Sequence, residues 1–170
     1  MGQCVLYYLA RAEAGLGEIE PAERHLREAI EILETVAREG FSDHYLLMYA
    51  QSQVHLARLL NERGRYGEAG TYARGGSEIL AFALPHEWGK YVEGQLELAR
   101  SVSGQGKTGE AEILFTCLLR PMKPESPPEM IAKILIRYAE HLRRNHRDAD
   151  AEQMDERARK LSHGNRDVAE

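Results

Sequence analysis

The sequence has little of what marks disulfide-rich, membrane-spanning or nucleic-acid-binding proteins. Its two cysteines, Cys4 and Cys117, form neither a disulfide framework nor a zinc-binding pattern, so we expect a reducing, cytoplasmic environment. No apolar run approaches the roughly 18 residues that span a bilayer, which predicts no membrane insertion. The net charge of −5 at pH 7 argues against direct binding of nucleic acid.

Motifs for catalysis and metal binding are incomplete. The triplet "GKT" at Gly106–Thr108 looks like the end of a phosphate-binding loop, but Ser101 stands where that loop needs glycine, and the preceding residues are helical in pattern. The stretch "HEWGK" from His86 ends in Lys90, not in the second histidine of a zinc-protease motif. No two histidines are four residues apart. We therefore predict no enzyme activity, no catalytic residues, no metal site and no cofactor.

What the sequence does contain is helical periodicity. Glycine and proline separate segments of about 15 to 20 residues in which apolar side chains recur every three or four positions. One example is "EPAERHLREAIEILETVAR", and no segment alternates apolar and polar residues as a strand would. The pattern predicts an all-α protein.

An internal repeat runs through these segments. The triplet Leu9-Ala10-Arg11 returns after 47, 42 and 40 residues as Leu56-Ala57-Arg58, Leu98-Ala99-Arg100 and, more weakly, Tyr138-Ala139-Glu140. Eight positions after each leading residue stands Gly17, Gly64, Gly106 or, breaking the pattern, His146. Five positions further on, all four copies have alanine, at Ala22, Ala69, Ala111 and Ala151. The repeating unit is thus a helix, a turn with glycine and a second helix.

Each recurring residue has a physical reason. Leucine beside alanine gives one large and one small contact, which lets neighbouring helices approach closely. Glycine can adopt the positive φ that ends a helix. A single hairpin cannot bury both of its faces, so such units stack, each covering the next.

The second copy, "LARLLNERGRYGEAGTYARGGSEIL", resembles a tetratricopeptide repeat (TPR). The Leu56-Ala57 pair, Gly64, Tyr66 and Ala69 stand in matching places, whereas Glu13 and His146 depart from the pattern in their own copies. The copies exceed the ordinary repeat of about 34 residues. They are most similar to the long-repeat type of kinesin light chains and of sensor regions in bacterial regulators. The resemblance implies a right-handed α-solenoid of about four helical hairpins.

The repeats fill most of the chain. We predict one TPR-like domain over residues 1–162, with repeats at 3–40, 42–84, 85–121 and 127–162, followed by a polar tail at 163–170. The opening "QCVLYYLA" lacks a capping segment, so it either pairs with a second copy, giving a homo-oligomer, or continues from a longer protein. Four glycines, Gly67, Gly70, Gly75 and Gly76, predict a locally soft second helix in the second repeat.

The resemblance also implies a binding surface. In TPR proteins the first helix of each repeat lines a concave groove that holds a protein or peptide partner. The residue after each Leu-Ala pair gives a column of Arg11, Arg58 and Arg100, with Glu140 as the fourth member. One turn earlier stands an apolar column of Tyr7, Val54, Leu96 and Ile136. Further groove candidates are Gln51, His55, Asn61, Lys133 and Arg137.

These columns predict a scaffold that recognises an acidic, or mixed acidic and hydrophobic, segment. Alternatively, the arginines only pair with neighbours such as Glu62, Glu93 or Glu97 and face water. A different function with the same fold is that of a sensor or oligomerisation domain in a bacterial signalling or transcription regulator.

Overall fold

The computed structural model describes residues 3–40, 42–122 and 126–164. Within them the chain forms eight α-helices and no strand, which confirms the all-α prediction. The helices are α1 (Gln3–Gly15), α2 (Ile19–Arg38), α3 (Asp43–Glu62), α4 (Tyr66–Phe82), α5 (Trp88–Gly104), α6 (Thr108–Leu119), α7 (Pro128–Arg144) and α8 (Asp148–Gly164).

The chain divides into two compact units, residues 1–101 and 102–170. The first unit holds α1 to α4 and most of α5, and the second holds the end of α5 with α6, α7 and α8.

The turns inside the four hairpins share one backbone geometry. Gly17, Gly64 and Gly106 have φ of 81°, 74° and 77°, and His146, the one exception in sequence, also has a positive φ of 59°. In each turn the following N–H donates to the carbonyl five residues earlier, as Arg65 does to Leu60 at 2.8 Å and Arg147 to Leu142 at 3.0 Å. This is the Schellman arrangement, which satisfies the last carbonyls of the first helix and reverses the chain.

The repeated small residues lie where helices touch. All four repeated alanines, Ala22, Ala69, Ala111 and Ala151, are fully buried. At Gly76 on α4, an added Cβ would lie 2.7 Å from the carbonyl oxygen of Ala50 and 2.9 Å from Cγ2 of Val54 on α3. Alanine and glycine are thus required by close helix approach, as the repeat pattern predicts.

The core of the first unit joins its first three helices. Tyr7 of α1, Leu26 and Leu33 of α2, and Leu56 and Leu60 of α3 are all buried in one cluster. α5 packs on the other side of α3 and α4, where a Cβ added to Gly94 would lie 2.5 Å from Oγ of Ser77. α3 is therefore enclosed by neighbours on both sides.

An ion-pair network lies between α2 and the hairpin of α3 and α4. The Glu23 carboxylate accepts hydrogen bonds from Arg27 at 2.8 Å and Arg65 at 2.7 Å, and Glu68 binds the same two arginines. Partial burial opposes ionisation of Glu23, but the arginine hydrogen bonds outweigh it and hold the pKa of that carboxyl below its usual value. Glu23 and Arg27 both lie on α2, whereas Arg65 and Glu68 belong to the turn before α4 and to α4, so these bonds join neighbouring hairpins.

The second unit has its own core. α7 and α8 enclose Ala132, Leu135 and Ala158, with Leu119 and Leu161 packed at the edge. Phe115 of α6 stacks on Tyr138 of α7, with ring centroids 5.2 Å apart. None of the helices in the described residues is long and apolar enough to cross a membrane.

Candidate functional site

A depression of about 320 Å³ opens in the first unit between α1, α2 and α3. Its walls carry three of the predicted groove residues, Arg11, His55 and Arg58, together with Glu62. Its floor is apolar and is formed by Ala10, Ala14, Leu26 and Leu59. The depression stays open because α1 has alanine at positions 10 and 14, where larger side chains would fill it.

Arg11 is held on one wall by an aromatic ring. Its guanidinium carbon lies 5.6 Å from the ring centroid of Tyr7, within the range of a cation–π contact. Burial raises the pKa of the Tyr7 phenol above its ordinary value. His55 contacts the same ring from α3, with centroids 5.5 Å apart. The guanidinium of Arg11 also lowers the pKa of the Tyr7 phenol through its charge and a side-chain hydrogen bond, although burial outweighs this influence.

Arg58 and Arg100 share one buried carboxylate. Nε of Arg58 lies 3.3 Å from Oε1 of Glu97, and Nη1 of Arg100 lies 3.8 Å from Oε2 of the same residue. The Glu97 side chain is only 6% exposed, whereas 31% of the Arg58 side chain remains accessible. Two cations against one anion leave a net positive charge at this place, and Arg58 is the member that reaches the depression.

Asn61 explains how Glu97 is held. Its amide nitrogen donates to the Glu97 carbonyl at 2.9 Å and to the Glu97 carboxylate at 3.0 Å. Its amide oxygen accepts a hydrogen bond from Ser101 at 2.9 Å. All three residues are buried, so this network joins α3 to α5 and fixes the counter-ion of the two arginines. Asn61 is thus a positioning residue and not, as the sequence pattern predicts, a groove contact.

The apolar column requires a correction as well. Tyr7, Val54 and Leu96 are buried to within a few per cent of their surface and face helix contacts. Val54, for example, fills the space beside Gly76 and Gly94, so a ligand cannot reach it. The apolar surface available in the first unit is instead the alanine and leucine floor of the depression.

The remaining predicted groove residues do not line this depression. Gln51 is half-buried on α3 of the first unit. On α7 of the second unit, Lys133 and Ile136 are exposed, and Arg137 pairs with Glu140 at 2.9 Å. The set that the structure brings together is therefore Arg11, His55 and Arg58, with Arg100 behind Arg58.

A buried histidine marks the second unit. Nδ1 of His141 lies 2.8 Å from Oγ of Ser103, and its ring lies against Phe115 and Tyr138. Burial, the largest influence, lowers the pKa of His141 and favours the neutral ring.

Glu112 and Arg147 form the charged rim of that cluster. Glu112 accepts hydrogen bonds from Arg147 at 2.7 Å and from the Tyr138 hydroxyl at 2.9 Å, and these bonds hold its pKa below the usual value. Burial and the Glu112 carboxylate together raise the pKa of Tyr138 to about 12.

The phosphate-loop resemblance has a simple structural explanation. Lys107 is exposed in the turn between α5 and α6, where its N–H donates to Val102. Arg65 and Arg147 occupy the same place in two other turns and make the same backbone hydrogen bond. The position of Lys107 is therefore explained by the repeated turn, without a phosphate site. No cluster of three metal-ligating side chains occurs within the described ranges.

Comparisons with known proteins agree with this architecture. No protein-family model and no curated protein sequence matches the chain. Two crystal structures of the nearly identical TPR-like repeats of a Podosopora anserina kinesin light chain protein do match. The first is 22% identical over 94% of this chain and 74% of that one, with a TM-score of 0.69. The second, of a point variant of that protein, is 22% identical over 96% and 76%, with a TM-score of 0.74. The chain therefore has the TPR-like helical-repeat solenoid fold that the repeat pattern predicts.

Proposed function

We propose that this protein is a binding scaffold that holds an acidic and apolar segment of a protein partner in the depression of its first unit. The observation that carries the proposal is the convergence of Arg11, His55 and Arg58 on one apolar floor. Guanidinium groups bind carboxylates with charge-assisted, often bidentate hydrogen bonds, and the floor offers burial to a neighbouring apolar side chain.

The two arginines have different roles in this proposal. Arg11, stacked on Tyr7 and exposed on the wall of the depression, offers its guanidinium to a carboxylate of the partner. Arg58 is oriented by Glu97 through its Nε, and 31% of its side chain stays accessible to a further carboxylate. Arg100 contributes positive potential from behind and does not line the depression.

A selection of displayed random peptides against the folded chain tests this function. We expect the selected peptides to be enriched in Asp and Glu next to an apolar residue. Changing Arg11 and Arg58 together to Gln should weaken a selected peptide at least ~10-fold, since two charge-assisted hydrogen bonds are lost. Binding should also weaken as salt is raised from about 0.05 to 0.3 M.

Arg74→Gln is the matched control, because Arg74 is exposed on α4 and does not line the depression. It removes one positive charge and should leave the peptide affinity within about twofold. Selected peptides without acidic enrichment, or equal binding by the double variant, would contradict the proposed function.

The second candidate, a sensor or oligomerisation domain of a larger regulator, is favoured by one separate observation. Three large apolar side chains of α1, Val5, Tyr8 and Leu9, are exposed to solvent. These side chains do not line the depression and are available for association with another surface.

A further inference from the structure

A second depression, of about 490 Å³, opens in the second unit between the end of α6, the first turns of α7 and the last turns of α8. Its volume lies within the range of ligand-binding clefts. Most of its lining is apolar, and the described residues that line it include two cations and no carboxylate. The apolar part includes Leu119, Ile131, Leu135 and Leu161.

The internal repeat shows why this place is open. Ile131 stands seven residues before Tyr138, with which the fourth repeated triplet begins. The residues in register with Ile131 are Tyr49 on α3 and Tyr91 on α5. Both tyrosines are half-buried and pack against core clusters of the first unit. The fourth copy therefore has a smaller aliphatic side chain where the second and third copies place a phenol ring, which leaves room for a ring.

Two cations of α8 stand at the depression. Nη1 of Arg157, an exposed residue, lies 3.7 Å from the sulfur of Met154. Nζ of Lys160 lies 2.7 Å from the Glu156 carboxylate, and 74% of the lysine side chain and 59% of the glutamate side chain are accessible. An ion pair this exposed contributes little free energy, so Lys160 can bind another carboxylate at little cost. The lining is therefore suited to an apolar group with an anion beside it.

We infer that this depression binds an aromatic side chain of a partner protein, with an acidic residue next to that side chain in the partner's sequence. The absent tyrosine ring defines the shape of the occupant, and Arg157 and Lys160 define its charge. Aromatic side chains bury a large area and are frequent anchors at protein interfaces. The site lies in the second unit, so the inference does not rest on the proposed function.

An NMR titration of the isotope-labelled chain with the acetylated, amidated pentapeptide Gly-Glu-Tyr-Glu-Gly tests the inference. Peptide concentrations from about 0.05 to 5 mM cover the weak affinity of one anchoring side chain. We expect saturable shifts at Ile131, Leu135 and Leu161. The peptide with leucine in place of tyrosine should bind about fivefold more weakly, and the peptide with lysine in place of both glutamates ~10-fold more weakly.

Two variants of the chain separate shape from charge. Ile131→Tyr fills the depression with the residue that α3 and α5 have in register, and should abolish the saturable shifts without lowering the urea midpoint. Arg157→Gln together with Lys160→Gln changes only exposed side chains, so it should keep the fold and weaken the peptide ~10-fold. The double variant decides the question if the tyrosine is not accommodated. Arg159→Gln, the matched control, removes a charge of α8 outside the lining and should change the affinity by less than about twofold.

The location of the shifts keeps this result apart from the proposed function. Changing Arg11 and Arg58 together to Gln should leave the binding unchanged, because both residues line the depression of the first unit. Shifts confined to the residues around those two arginines would place the peptide in the first unit and overturn the inference. Equal binding of the leucine or lysine peptide, or equal binding by the double variant of α8, would overturn it as well.

Discussion

His146 holds a backbone conformation that its side chain disfavours. It stands where the other three hairpins have glycine, and its φ of 59° lies in the left-handed region. For a residue with a Cβ this conformation costs about 1–2 kcal/mol. The turn nevertheless closes with the same hydrogen bonds, so packing of the fourth hairpin outweighs the strain.

His146→Gly should therefore stabilise the protein. We expect the free energy of unfolding to rise by about 0.5–1 kcal/mol, which is the relieved strain less the added freedom of glycine in the unfolded chain. Urea denaturation followed by circular dichroism measures the difference. Gly64→Ala is the reciprocal control: its Cβ would meet no atom within 4 Å, so the expected loss of about 1 kcal/mol comes from the backbone alone. An unchanged or lowered stability of the His146 variant would refute the strain argument.

At the scale of the element, α4 combines glycines with opposite roles. Gly76 is required by contact, since a Cβ there would meet the Ala50 carbonyl and Val54. Gly67 has nothing within 4 Å of the place its Cβ would take. At Gly75 a Cβ would meet only the end of the flexible Gln53 side chain, so that glycine is required by close approach less strictly than Gly76.

Substitutions in α4 should consequently act in opposite directions. Gly67→Ala is expected to stabilise by about 0.5 kcal/mol and to slow amide hydrogen exchange in the helix. Gly76→Ala should destabilise by about 1–3 kcal/mol, because the backbone of α3 must move. Exchange rates and urea midpoints of the two variants provide the comparison. Wild-type exchange in α4 no faster than in α3 would remove the idea of a soft helix.

The elements and turns were predictable from the sequence because they depend on short-range patterns. The spacing from Leu56 to Gly64 and Ala69 defines a helix, its end and the next contact without reference to the rest of the chain. Whether a given side chain points into the groove or into the core was less predictable. A residue four positions before Arg58 is rotated by only about 40° around the helix, and α3 has neighbours on both sides, so that small rotation takes Val54 from groove to core.

The role of Glu97 could not be predicted for a related reason. A glutamate one helical turn before an arginine, as Glu97 is before Arg100, resembles a surface pair. Its burial depends on Asn61, which lies 36 residues away in sequence and bonds both its backbone and its carboxylate. Such long-range hydrogen bonds leave no local pattern.

At the scale of the whole molecule, acid should destabilise both units: the first through Glu23, whose folded pKa is lowered by its arginine partners, and the second through His141 and Glu112. His141 has a folded pKa below its ordinary value of 6.5, so between the two values the unfolded chain binds more protons. Glu112, whose folded pKa is also lowered, contributes stability that is lost as pH falls through that folded value. Both groups act in the same direction, since acid favours the unfolded state. Tyr138 acts at the other extreme, where stability is lost as pH rises through about 12.

We therefore expect urea midpoints to be nearly level above neutral pH and to fall below about 6.5. His141→Gln should flatten the upper part of that fall, and Glu112→Gln should flatten the lower part. His86→Gln, which changes an exposed histidine of the first unit, serves as control and should leave the profile unchanged. Equal slopes for wild type and His141→Gln would show that this histidine does not set the acid response.

The uniform hairpin turns also suggest where the gene could be recombined. The turns span three residues in every copy, at 16–18, 63–65, 105–107 and 145–147, whereas the links between hairpins span four, five and eight. A crossover placed at a turn joins two helix ends of the same geometry. For example, the first helix of the hairpin at Gly17 could be followed by the second helix of the hairpin at Gly64. A crossover in a link would change the spacing of the helices it joins. The turns are thus natural splice points for building chimeric repeats, and the links are where insertions of different length can be absorbed.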